Sequence, residues 1–201
     1  MRNIQHQFNS QRVEDEKSKA EQIIQDAITR IECAEFNSQY LYFGNHLVAK
    51  NLFANTYYLG FSPVAIDLLD SFTSYEYYSR GDTILKGDPI LKITGAWGAV
   101  DITSPLTFTC LGHITESQNS NERWFSLIEA SREELSQHTV PVSDYHRDII
   151  SITKELTQFQ NNYPDVGLTM MDGGFESSFL HQVIGHNKYL NILNVLFNKK
   201  K

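Results

Sequence analysis

The chain has 201 residues, 41% of them hydrophobic, with a formal net charge of −7. That is room for one ordinary domain with extensions, and enough apolar residues for a real core. The acidic balance argues against a sequence-independent nucleic-acid surface, which needs clustered cations to neutralise phosphates, and Lys199-Lys200-Lys201 reads as a solvated end.

The first ten residues are polar and are expected to be loose. From Arg12 to Cys33 the pattern is helical: Ala20, Ile24, Ala27, Ile28 and Ile31 recur at three- and four-residue spacing on one face, with Glu14, Lys17, Lys19 and Glu21 on the other. The stripe spans about two heptads, short for a coiled coil, so a helix packed on its own domain is expected. Between Tyr40 and Leu59 aromatic and β-branched residues, broken by Gly44-Asn45 and Asn55, predict paired strands. Ser62-Pro63 then predicts a helix start, serine as N-cap and proline at the first helical position, running to Asp70 with Val64, Ile66, Leu68 and Leu69 inward.

Residues 74 to 116 read as β-structure. Gly81-Asp82 and Gly87-Asp88-Pro89 are turn signals around Thr83, Ile84 and Leu85. Ile90, Leu91 and Ile93 form a strand, Gly95-Ala96-Trp97-Gly98 a hairpin tip, and Val100 and Ile102 the return strand. Asn119 and Asn121 mark a loop before Trp124 and Phe125. In the last third, Ser143 is the expected cap of a helix reaching Phe159. Its seam of Tyr145, Ile149, Ile152, Leu156 and Phe159 has spacings of four, three, four and three. Asn161, Asn162, Pro164 and Gly167 interrupt it. A second helix is expected from Glu176 to Phe197, with Phe179, Leu180, Val183, Ile184, Leu190, Leu193 and Leu196 as its core face.

The run from Gly81 to Ile93, closed by Val100-Asp101-Ile102-Thr103-Ser104-Pro105, resembles a biotinyl/lipoyl-carrier domain. That family has a GDxVxxGDxLxxI run, a hairpin bearing the carrier lysine, and a strand closed by SP or AP; the alignment is ungapped from Gly81 to Pro105. Upstream Leu59-Gly60-Phe61-Ser62 before a short helix is similar to the glycine-cleavage H-protein branch. So is Gly112-His113-Ile114-Thr115-Glu116 with Asn119, Asn121 and Trp124 downstream, once Thr107 to Cys110 are taken as an insertion. The resemblance spans about Tyr40 to Gln137. It implies a lipoyl/H-protein-like β-sandwich or flattened barrel (39–138); with the helical patterns outside it, an N-terminal extension (1–38) and a C-terminal extension (139–201), the chain is expected to be α+β.

At the carrier position this sequence has Trp97, and Thr94 replaces the usual preceding glutamate. An indole has no nucleophilic amine, so an amide-linked lipoate cannot form there. Lys86 and Lys92 lie on the approach strands, not at the tip. No carrier activity is therefore implied for any residue, and no cofactor or metal is expected. With Gly95, Ala96, Gly98 and Ala99 around it, Trp97 is expected to project as a binding hot spot; the alternative is a tip folded back with the indole in the core.

Enzyme chemistry has weak support. His181 and His186 are five apart, not the four that places two ligands on one helical face. Asp144 and His146 mark a helix start, Glu133 and Glu134 a polar helix face, and Asp172-Gly173-Gly174 a plain turn, with a phosphate-binding turn as the alternative. No HExxH or GxxxxGK[ST] motif occurs. Two isolated cysteines, Cys33 and Cys110, fit a reducing compartment and supply no CxxC motif. Met1 to Ser10 lacks an apolar signal core, and Glu14, Asp15 and Glu16 come early for a presequence. The cytoplasm is expected, with the mitochondrial matrix as alternative. No stretch is long and apolar enough to span a membrane.

The expected function is non-catalytic: a structural or accessory protein contacting protein partners, within a large complex, through Trp97 and the Tyr145, Ile149, Ile152, Leu156 and Phe159 seam. The alternatives are a regulator that binds lipoate-handling or glycine-cleavage-type enzymes as a non-lipoylated homologue, and a small hydrolase or transferase.

Overall fold

The structure is a computed structural model and describes residues 2–69, 72–78, 83–114, 124–161 and 178–198, for 2–16, 72 and 73 the backbone alone. Gly81-Asp82, Thr115-Glu116, Asn119, Asn121, Pro164, Gly167, Asp172-Gly173-Gly174 and Glu176 lie outside the described residues, as does Asp70.

Helix α1 runs Arg2–Glu32, so it extends back through residues expected to be loose. Its stripe is buried as the periodicity required, with Ala20, Ile24, Ala27, Ile28 and Ile31 all in the core. Strands β1 (Tyr40–Tyr42), β2 (Leu47–Phe53) and β3 (Thr56–Phe61) follow as an antiparallel meander. Its first turn places His46 at φ 56, in the left-handed region. Helix α2 (Pro63–Leu68) starts as the sequence indicates: Ser62 Oγ accepts the Ala65 N–H at 3.2 Å, and Pro63 opens the first turn.

Then come β4 (Phe72–Tyr77), β5 (Thr83–Ile84), β6 (Pro89–Gly95), β7 (Gly98–Thr103), β8 (Phe108–His113) and β9 (Trp124–Glu129). Every pairing among the described strands is antiparallel. One sheet has six strands in the order β1-β2-β3-β9-β8-β5, and a second has three, β4-β6-β7. Of the residues expected to be an insertion, Thr107 precedes β8 and Phe108 to Cys110 form its first half; the register with β9 shifts between Cys110 and Gly112.

Helices α3 (Arg132–His138), α4 (Val142–Asn161), α5 (Leu180–Ile184) and α6 (His186–Phe197) complete the chain, which is α+β. Two expectations are corrected here. Ser143 does not cap α4: the helix already starts at Val142, and the Pro141 carbonyl accepts from the N–H groups of Asp144 and Tyr145. The single helix expected up to Phe197 is two, broken at Gly185, whose φ of 86 no helix interior allows.

One continuous cluster of buried side chains joins α1, both sheets and the C-terminal helices. Contacts of α1 with α4 and α5, and of α6 with β7, carry it across the chain. Among the described residues, no helix is long and apolar enough to cross a membrane.

Candidate functional site

The β6–β7 hairpin closes through the paired Gly95 and Gly98, leaving Ala96 and Trp97 at the tip. Trp97 does not project. It is 1% exposed, among the largest fully buried side chains. The small residues around it act in the opposite sense from that expected. Gly95 has no side chain, and the indole fills that space: a Cβ there would stand 2.4 Å from Trp97 Nε1 and 2.5 Å from Cε2. Gly98, at φ 120, brings backbone under Leu190 of α6, whose Cδ1 a Cβ would meet at 2.9 Å. The cover comes from α6. The Tyr189 ring lies 5.6 Å from the indole, and its hydroxyl donates to the Leu68 carbonyl at the end of α2. The sheet end of α6 is also tied down, since Asn198 Nδ2 donates to the Asp101 carbonyl at 2.8 Å.

A single helix running through Gly185 does not put Tyr189 on the core face. The break resets the helical phase. Counted from His186, Tyr189, Ile192, Leu193, Leu196 and Phe197 fall on one face, and all five are buried. Phe179, expected in the core face, is instead 39% exposed.

The α4 seam is also turned inward. Tyr145, Ile149 and Leu156 are buried, while Ile152 and Phe159 are half-buried. Tyr145 packs between Tyr42 (4.6 Å between ring centroids) and His46 (5.2 Å), and Phe36 stacks on Tyr42 at 4.5 Å. Burial pushes the Tyr145 phenol up to about 12. His46 Nε2 faces the Asp148 carboxylate at 3.9 Å, fixing the β1–β2 turn on α4. Farther along, Gln160 Nε2 donates to the Glu21 carbonyl of α1 at 3.2 Å. Lys188 Nζ sits 4.1 Å from the Phe159 ring centre, a cation–π contact. So α6 links the two expected binding elements, with Tyr189 on Trp97 and Lys188 on Phe159. Ser151, Lys154, Glu155, Gln158, Phe159 and Lys188 line an open cleft there.

The residues weighed for catalysis are dispersed. His181 is buried and His186 exposed; the Gly185 break brings their rings to 5.4 Å although they are five apart in sequence. Asp144 pairs with Arg147 at 2.9 Å, and His146 faces outward near Phe36. Among the described residues no group of three or more His, Cys, Asp or Glu side chains is placed to hold a metal ion. Lys92 is half-buried in β6, and Lys86 is exposed in the turn before β6.

The fold and tip geometry thus define an α+β protein whose hairpin end is sealed by its own last helices. No family model matches the chain, and no curated protein matches it. Among solved structures, a glycine cleavage system H protein from Mycobacterium marinum matches at 14% identity and a TM-score of 0.36. The match covers 51% of this chain and 98% of that one.

Proposed function

We propose that this chain is a non-catalytic accessory protein: a lipoyl-carrier-like sandwich, its two sheets face to face, that has exchanged the carrier lysine for a structural tryptophan and works through protein contacts in a larger assembly. The observation that supports it is the state of the hairpin tip. A swinging arm needs a solvent-facing attachment point, and here that point is Trp97, 1% exposed beneath Tyr189. With the α4 seam turned inward, this reading assigns partner contacts to the outer faces of the helices. Ile150 of α4 is 65% exposed and Val195 of α6 64% exposed, apolar side chains with no core role.

The test is the size of the protein in native extract, read by size-exclusion chromatography with detection of this chain. It should elute well above the volume of the single folded chain. The double variant Ile150→Lys, Val195→Lys should elute as the single chain while keeping the parent's thermal unfolding midpoint. Elution of the parent as a single chain would remove the assembly reading.

A further inference from the structure

Lys86 lies outside the hairpin tip, and its surroundings are more ordered than an exposed lysine requires. It occupies the second position of a four-residue turn from Leu85 to Asp88. The Asp88 N–H donates to the Leu85 carbonyl at 3.0 Å, and Gly87 follows at φ 90, the geometry of a type II turn. The turn is held from several sides. Asp88 Oδ2 accepts the Leu85 N–H at 3.0 Å, the Ser104 carbonyl accepts the Gly87 N–H at 2.9 Å, and Thr107 Oγ1 accepts the Lys86 N–H at 3.3 Å.

From this fixed base the side chain reaches the end of α3. Lys86 Nζ stands 3.3 Å from His138 Nδ1. The other ring nitrogen, Nε2, faces Glu134 Oε1 at 3.2 Å, one helical turn back. Glu134 is held in turn, since Oε1 accepts the Thr107 N–H at 2.8 Å. That N–H, and then His138, keep the Glu134 carboxyl below the usual carboxylate range. An ionised Glu134 is an acceptor only, so it accepts a hydrogen bond from His138 Nε2–H, the tautomer that leaves the Nδ1 lone pair for Lys86. An amine, an imidazole base and a carboxylate that orients it thus stand in line, brought together from a turn and from two positions of one helix.

We propose that Lys86 is an acyl-acceptor site, modified by small activated acyl groups of the thioester class, with His138 as general base and Glu134 as positioning residue. The unprotonated amine attacks the thioester carbonyl carbon, forming a C–N bond and a tetrahedral adduct with a charged nitrogen. His138 Nδ1 takes the proton from that nitrogen. The C–S bond breaks, and the departing thiolate recovers the proton from the imidazolium, leaving an amide and a free thiol with no redox change. Lys86 is exposed, and nothing lies within 4 Å of where a Cβ on the neighbouring Gly87 would be. The inference is independent of the assembly reading, because it concerns other residues and a covalent step.

The test is site-resolved acylation of the folded full-length protein by S-acetyl-N-acetylcysteamine, followed by peptide mass spectrometry at limiting conversion. Lys19 and Lys154, both exposed on helices, serve as internal references. Lys86 should acetylate at least about tenfold faster than either, a modest share of what a positioned base can supply. His138→Gln should bring Lys86 down to the reference rate while the rates at Lys19 and Lys154 stay unchanged. Glu134→Gln, which keeps an acceptor oxygen but loses the charge, should retain only part of the preference. Equal rates at the three lysines in the parent protein, or an undiminished preference in either variant, overturn the proposal.

Discussion

Trp97 shows how much one residue's surroundings decide. An indole needs cover on two sides. Gly95 supplies one by having no side chain, and Tyr189 supplies the other. Trp97→Ala should therefore cost about 3–5 kcal/mol, the usual range for emptying a buried aromatic site. Gly95→Ala should cost about 1–3 kcal/mol, because the new methyl must displace the ring. Urea unfolding of both variants checks this, and a Trp97→Ala protein as stable as the parent would contradict the packing. A second residue-scale effect sits at Tyr145. Its phenol ionises at 10.0 when free in the unfolded chain and at about 12 when folded. Below pH 10 its contribution is fully present, and it is lost as pH rises from 10 through 12. The loss should be about 2–3 kcal/mol at alkaline pH. Tyr145→Phe should show a flatter decline of the urea midpoint across that window than the parent.

At the scale of elements, local signals were legible where the chain's own period or chemistry dictates the answer. The α1 stripe, the Ser62-Pro63 start of α2 and the β6–β7 hairpin all follow from residues within a few positions of one another. The α4 seam was equally clear as a face, and its burial on α1 gives it a structural cost. Leu156 is 0% exposed, so Leu156→Ala should lose about 2–5 kcal/mol by urea unfolding, and Ile152→Ala, only half-buried, clearly less. What the seam would face was not legible, because an apolar stripe does not name its partner. The tip failed for the same reason. The expectation that Trp97 projects rested on its immediate neighbours, while its cover comes from a helix far along the chain. Gly185 carried the missing signal: a glycine inside an apolar helical run marks a break, and the break shifts which residues of α6 face the sheet.

For the whole molecule, the accessory reading predicts a chain unmodified by a carrier group. Intact mass measured on protein from its own source should show no lipoyl-sized or biotinyl-sized increment, and such an increment on any peptide would contradict the accessory reading. The sealing contact also has a temporal meaning. The Tyr189 hydroxyl and the Leu68 carbonyl it meets are 121 residues apart, and Asn198 and Asp101 are 97 apart. Nascent chains emerge from the ribosome at about 5–20 residues per second, so every strand of both sheets leaves the exit tunnel before α6 does. For those seconds the hairpin bearing Trp97 is complete as a hairpin but bare, an aromatic on an unfinished surface. The interval between making the tip and roofing it is when this protein is most open to a chaperone, or to a wrong neighbour.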